Sequence, residues 1–270
     1  YNSANIRIGG LTTNSDGYAK SGLLPYGDGY YLLEEKAPAG YVLDTTKHYF
    51  NVRTNGQTIT IRTNNQSQMG QITVQKSDGE TGEAVSSPAT FDIRAAENIR
   101  TPDGTIRLKA GELADTVTTK NGIGTTKQLY LGDYLVTERT APDGYVQDGK
   151  QYPVSLEYAG QTVKIVTESV TVPNTPQKGT ITVHKTDSET GNQIAADAQY
   201  EIFQWDTVTG KYQPTGGYNT YSVQRQGDGT YAVINSAAYA TTDSMRHTLY
   251  YTQRNTGKFI IVESKAPTGY

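Results

Sequence analysis

The chain reads as an all-β protein of tandem β-sandwiches arranged as a rod. Three observations lead there. Among 270 residues there are 21 Tyr and 28 Gly, against 4 Phe and 1 Trp; Tyr, Thr, Val and Ile suit pleated strands, and Gly suits the turns between them. Short segments alternate apolar and polar with a period of two, and no stretch sustains the helical period. Finally, blocks of residues recur in the same order along the chain, the signature of a repeat architecture.

The elements follow in sequence. Gly27-Asp28-Gly29 has hairpin-turn chemistry and is too short for a phosphate loop. Asn55-Gly56 and Asn121-Gly122 are type I′ hairpin signals. Thr58–Arg62 and Thr162–Val166 alternate as half-buried strands, and so does Gln71–Lys76, with Ile72 and Val74 on one face and Thr73 and Gln75 on the other. Asp103-Gly104 and Gly227-Asp228-Gly229 are further turns, and Ala110–Asp115 has room for one short turn of helix. Several short strands per unit with regular turns predict a sandwich.

One repeated block reads Glu34-Glu-Lys-Ala37-Pro38-Ala-Gly40-Tyr41, then Glu138-Arg-Thr-Ala141-Pro142-Asp-Gly144-Tyr145, then Glu263-Ser-Lys-Ala266-Pro267-Thr-Gly269-Tyr270. A second appears twice, as Gly70-Gln-Ile-Thr-Val-Gln-Lys76-Ser-Asp78 and Gly179-Thr-Ile-Thr-Val-His-Lys185-Thr-Asp187. Asn65 and Asn174 each stand 11 residues before those lysines. The repeats divide the chain into a unit at 1–68 without its opening strand, a complete unit at 69–176, and a unit at 177–270 without its closing strand. The first residue is Tyr1, so the chain reads as a window onto a longer array. The joints at 66–69 and 175–178 are short, and Pro176 stiffens the second, which favours a rod over a flexible string.

Composition excludes several classes. A net charge of −3 from 24 basic and 27 acidic residues argues against a nucleic-acid binder. With no Cys, there is no disulfide scaffold, thiol nucleophile or Cys-based zinc site. Three scattered His (His48, His184, His247) make no metal centre, and no cofactor motif is present. No apolar run approaches the ~18 residues of a membrane span. A secreted β domain without cysteines needs some other staple.

The repeats suggest what the staple is. By the period-two rule Lys76 points inward with Ile72 and Val74, Glu138 with Val136, and Asn174 with Val170 and Val172. A buried ammonium tends to lose its proton, and a buried carboxyl to keep one. A neutral amine beside an amide, with a carboxyl to polarise the carbonyl and carry protons, is a nucleophile, electrophile and acid–base set. The product is an isopeptide bond formed once, without turnover. Read on residue types alone, Lys76 and Glu138 favour a buried ion pair or a snorkelled lysine with no bond; the registered repeats are what favour the bond.

The pattern Ile-x-Val-x-Lys-x-Asp, Glu-x-x-Ala-Pro-x-Gly-Tyr, Asn-x-Pro resembles the collagen-adhesin B-type (CnaB, prealbumin-like) domains of Gram-positive surface adhesins and pilins. The resemblance implies immunoglobulin-like sandwiches with an autocatalytic Lys–Asn or Lys–Asp crosslink. Lys76 is then the amine donor, Asn174 the acceptor and Glu138 the catalytic carboxyl. Lys185 and Glu263 match in the last unit, and Glu34 and Asn65 in the first. Asn65 lacks the following x-Pro, and its neighbour Asn64 is an alternative. The resemblance further implies a secreted, wall- or pilus-bound surface protein. Its partners would be neighbouring pilin subunits, or a host or matrix protein or glycan.

Rival readings stand beside these. Asp78-Gly-Glu80-Thr-Gly82-Glu83 and Asp187-Ser-Glu189-Thr-Gly191 lack calcium-loop spacing and read as acidic turns. No glycine elbow surrounds a Ser, which argues against a hydrolase. Tyr212, Tyr218, Tyr221, Tyr231, Tyr239, Tyr250 and Tyr251 are strand filler or a recognition face in the third unit.

Overall fold

The computed structural model describes residues 1–181, 184–194, 196, 198–206, 209–214, 223–225, 231–233, 240–241, 247–250 and 255–270. All regular structure among them is strand.

The first 68 residues carry β1 (Gly27–Leu32), β2 (Tyr41–Val42), β3 (His48–Val52) and β4 (Gln66–Ser67). β1 pairs antiparallel with β3, Tyr30 opposite Phe50 and Tyr31 opposite Tyr49, and β2 pairs with β4. The rings of Tyr30 and Phe50 stack at 5.6 Å. Gly27-Asp28-Gly29 is no hairpin turn. It opens β1 with a bulge, which Gly29 makes possible at φ +73°. At Asn55-Gly56 only the glycine has positive φ, so the turn is not type I′. Thr58–Arg62 alternates in burial but belongs to no strand. In the second unit the matching segment pairs with the opening strand, and residues 1–68 contain no such strand.

The second unit runs through β5 (Met69–Asp78), β6 (Thr90–Ala95), β7 (Ile99–Arg100), β8 (Ile106–Leu108), β9 (Leu113–Thr118), β10 (Ile123–Thr125), β11 (Leu129–Tyr130), β12 (Gly132–Thr140), β13 (Gln151–Leu156) and β14 (Ile165–Asn174). One sheet is built on β5, with β10 and β11 antiparallel on one edge and β14 parallel on the other. The second sheet has the order β13-β12-β6-β9. Inward residues of both sheets, among them Ile72, Val74, Phe91, Ile93, Tyr134, Val136, Leu156 and Val172, form one cluster sealed from solvent. Each such side chain contributes about 1.5–3 kcal/mol by burial. The Tyr134 hydroxyl donates to Tyr130 O at 2.7 Å, and burial raises its pKa well above that of a free phenol. Both central residues of Asn121-Gly122 have positive φ, as a type I′ turn requires. Ala110–Asp115 forms no helix: a turn closes from Glu112 N–H to Lys109 O, and β9 starts at Leu113. Thr162–Val166 becomes strand only from Ile165.

The third unit carries β15 (Lys178–Ile181), β16 (Gln199–Asp206), β17 (Lys211–Pro214), β18 (Val223–Arg225), β19 (Tyr231–Val233), β20 (Ala240–Thr241), β21 (His247–Tyr250) and β22 (Asn255–Lys265). β22 pairs with β16, Tyr200 opposite Glu263. The Gly227-Asp228-Gly229 turn lies outside the described residues.

The first joint is stitched by hydrogen bonds in both directions. Gln68 is 1% exposed. Its N–H donates to Gly40 O at 2.9 Å, its Nε2 donates to Gly160 O and Val163 O, and its Oε1 accepts from Ala159 N–H at 2.9 Å. From the other side, Gln161 O accepts from Leu43 N–H and Gln161 Oε1 from Ala37 N–H, each at 2.9 Å. Gly40, at φ +84°, lies so close to Pro102 that a Cβ there would come within 2.4 Å of its ring. At the second joint Gln177 repeats the pattern, its N–H donating to Gly144 O at 2.8 Å.

Candidate functional site: a buried lysine, glutamate and asparagine

β5 and β14 lie side by side as the first and last strands of the second unit. Their register sets Val172 opposite Lys76 and Asn174 opposite Asp78. The period-two rule then turns Lys76 and Asn174 to the core face, where they are 1% and 2% exposed. Glu138 reaches in from β12 of the facing sheet and is 3% exposed. The site therefore spans both sheets at one end of the sandwich.

Lys76 Nζ donates to Val172 O at 2.6 Å and to Ser77 O at 3.3 Å. Burial pushes the lysine down to about 8, while the facing carboxylates of Glu138, Asp148 and Asp78 pull the other way. At a value of about 8, about a tenth of such amines would be neutral at pH 7, against about three in ten thousand for a lysine at its ordinary 10.5. Asn174 Nδ2 donates to both oxygens of Glu138, at 2.9 and 2.8 Å. The carboxyl thus stands at the nitrogen that would leave. Asn174 Oδ1 is buried with no hydrogen-bond partner, a state that costs about 1–3 kcal/mol. An amine attacking the carbonyl carbon places its developing charge on that oxygen.

Two motif residues have their own task. The Tyr145 hydroxyl donates to Asp78 Oδ2 at 2.8 Å, tying the end of the Ala-Pro-x-Gly-Tyr turn to the end of β5. Burial opposes ionisation of Asp78, but the N–H groups of Thr81 and Glu80 and the Tyr145 hydroxyl outweigh it and hold the carboxyl below its usual range. Those N–H bonds make the Asp78–Glu83 segment a closed turn. Asp187 is capped in the same way by Glu189 and Thr190.

In the first unit Glu34 Oε2 accepts from Asn65 Nδ2 at 2.6 Å, and Asn65 Nδ2 also donates to Val42 O at 3.0 Å. Asn65, not the exposed Asn64, faces the glutamate. In the third unit Lys185 Nζ and Glu263 Oε2 form an ion pair at 2.8 Å, which raises the lysine pKa. The described residues of that unit bring no asparagine to the pair. Of the tyrosines singled out above, Tyr212 packs edge-on against Trp205. Tyr218, Tyr221, Tyr239 and Tyr251 lie outside the described residues.

Sequence reasoning missed Asp148 and Tyr152, which support Glu138, and Gln68 and Gln177 at the joints. For the aspartate and the two glutamines the signal was present as spacing. Asp44 and Asp148 both follow their glutamates by ten residues, and Gln68 and Gln177 both follow their asparagines by three.

A two-sheet β-sandwich is the class that this fold defines, and the comparisons with known proteins agree on the fold. The model of the SpaA prealbumin-like fold domain matches residues 2–67 and 70–171, so the chain belongs to that family. The TIE protein of Bacillus anthracis is 24% identical, with a TM-score of 0.59 over 95% of this chain and 39% of its own. The present chain thus spans well under half of that protein. The group B streptococcus pilus 2b backbone protein is 24% identical, with a TM-score of 0.30 over 49% of this chain and 45% of its own. The shaft pilin SpaA of Lactobacillus rhamnosus GG is 18% identical, with a TM-score of 0.31 over 75% of this chain and 90% of its own. No curated protein matches the chain.

Proposed function

We propose that the chain is a structural stalk or pilin segment of an extracellular bacterial surface protein, made of prealbumin-like units at 1–68, 69–176 and 177–270. In this reading the second unit staples itself with a Lys76–Asn174 isopeptide bond. The observation that carries it is the meeting of Lys76 and Asn174 on paired first and last strands, with Glu138 hydrogen-bonded to the Asn174 amide.

The reaction balances without a cofactor. The Lys76 ammonium first loses a proton to solvent. The neutral Nζ attacks Asn174 Cγ, and the electron pair moves to Oδ1. Glu138 takes a proton from the attacking nitrogen and delivers one to Nδ2. The Cγ–Nδ2 bond breaks, ammonia leaves, and an Nζ–Cγ amide remains. No site is regenerated, so the chain is not an enzyme. Lys185 with Glu263, and Glu34 with Asn65, are the corresponding parts of sites that need a further strand. Neighbouring subunits of a pilus, or a host or matrix protein or glycan at the end of the stalk, are the partners this reading calls for.

The bond matters because tension on a tandem unit enters through its first strand and leaves through its last. Parallel strands pulled from opposite ends shear, and a bond between them bypasses the sandwich. Pulling the chain from its two ends tests this. The 98 residue steps from position 76 to 174 should release no length, whereas Glu138→Ala should release about 320–350 Å as that segment extends. A wild-type trace showing that same release would refute the load-bearing role.

A further inference from the structure

Glu138 is held by more than its asparagine. The main-chain N–H of Asp148 donates to Glu138 Oε2 at 2.7 Å. The side chain of Asp148 is itself fixed: Oδ1 accepts from Lys150 N–H at 3.0 Å, and Oδ2 accepts from the Tyr152 hydroxyl. Tyr152 sits in β13 opposite Val136, two residues from Glu138 on β12, so the clamp is anchored in the sheet. The Gln147 amide ties the same loop back to Glu138 O and Arg139 O, at 3.1 Å each.

The first unit repeats this arrangement with different atoms. Asp44 N–H donates to Glu34 Oε2 at 2.8 Å, Asp44 Oδ1 accepts from Thr46 N–H at 2.9 Å, and Asp44 Oδ2 lies 3.3 Å from His48 Nε2. Asp stands ten residues after Glu in both units, and the clamping residue fourteen after, as His48 in one and Tyr152 in the other. A phenol and an imidazole share little except a polar hydrogen in the right place, so the shared feature is the clamp.

We propose that Asp148 is a positioning residue for the crosslinking reaction and Tyr152 its clamp. The pair aims a backbone N–H at Glu138 Oε2, so that the carboxyl meets the Asn174 amide with both oxygens. Asp148 also carries one of the three carboxylates facing Lys76, with Glu138 and Asp78; Lys150, Lys76 and Tyr152 are the titratable groups around Asp148 itself.

The inference rests on the crosslinking reading, and one experiment separates the two. The full chain is made by pulsed cell-free synthesis, and loss of ammonia is followed by intact mass over time and pH. Asp148→Ala and Tyr152→Phe should each slow the loss roughly ten- to a hundredfold, as expected for a misplaced catalytic group. Asp148→Asn keeps the N–H and an oxygen for Tyr152. It should restore a rate near wild type and, with one carboxylate fewer facing Lys76, move the midpoint of the rate–pH profile to lower pH. A purely structural aspartate would lower the stability of Asp148→Ala but leave the rate of ammonia loss from its folded chain unchanged. If Asp148→Ala fails to fold, Tyr152→Phe, which removes a single oxygen, carries the test. A wild type that loses ammonia alongside variants that lose it equally fast overturns the positioning role alone, as does an Asp148→Asn chain as slow as Asp148→Ala. A wild type that never loses ammonia overturns the crosslink and this inference together.

Discussion

Replacing Gln68 by Ala tests whether the first joint is fixed by specific bonds or merely by a short tether. The side chain is buried, and its amide makes three hydrogen bonds to the 159–163 loop of the next unit. Truncation leaves the Gly160 and Val163 carbonyls without their donor and the Ala159 N–H without its acceptor. At about 1 kcal/mol net for each bond, the loss is about 3 kcal/mol. Ala cannot fill the place of the amide or make its bonds. Amide hydrogen exchange reads the effect where it falls. Opening of the Ala159 N–H should become about a hundredfold more frequent, since each 1.4 kcal/mol is a factor of ten. Protection of Val74 and Val136, deep in the same unit, should stay near wild type. Exchange at Ala159 within threefold of wild type would refute the view that Gln68 holds the joint.

Other outcomes follow from the same geometry. Asn174→Ala removes the acceptor and reopens a loop of almost 100 residues, so the second unit should lose about 4–5 kcal/mol of stability in urea titration. In the wild type, crosslinking rate should rise about tenfold per pH unit well below pH 8 and level off above it, because only the neutral Lys76 amine attacks and its pKa lies at about 8; a rate independent of pH between 6 and 8, the span over which the neutral fraction changes about fiftyfold, would contradict this. In the uncrosslinked Asn174→Ala chain, the unfolded Lys76 holds its proton up to its ordinary value of 10.5 while the folded one releases it near 8. The unfolded state then binds more protons in that window, so stability should rise with pH across it. At Gly124 a Cβ would stand 2.5 Å from Val117 Cγ1 and 3.1 Å from Thr118 O, so Gly124→Ala should cost about 1–3 kcal/mol in thermal unfolding.

The buried trio of Lys76, Glu138 and Asn174 was legible because strand periodicity is strict. Once Ile72 and Val74 are inward, Lys76 must be, and the same holds for Glu138 after Val136 and for Asn174 after Val172. The repeated blocks then said that these three belong to one unit. What periodicity cannot supply is a partner. Thr58–Arg62 alternates as well as Ile165–Asn174 does, yet only the latter has an opening strand beside it. Composition misled at Gly27-Asp28-Gly29, where a glycine with positive φ serves a bulge rather than a turn. Asp148, Tyr152 and Gln68 escaped notice for a common reason. Asp148 and Gln68 act through main-chain N–H and C=O groups, which every residue carries and no sequence displays, and Tyr152 acts through Asp148. Only their constant distance from Glu or Asn betrays them, in Asp44 and Asp148 and in Gln68 and Gln177.

The central claim is a covalent bond between two named atoms, and mass spectrometry of the denatured chain tests it most directly. The wild type should weigh one ammonia less than its sequence, and a proteolytic digest should yield a branched peptide joining Lys76 to Asn174. Lys76→Ala and Glu138→Ala should both carry the full sequence mass. A wild-type mass equal to the sequence sum would mean that Lys76, Glu138 and Asn174 form only a buried polar cluster, and the stapled stalk would lose its basis.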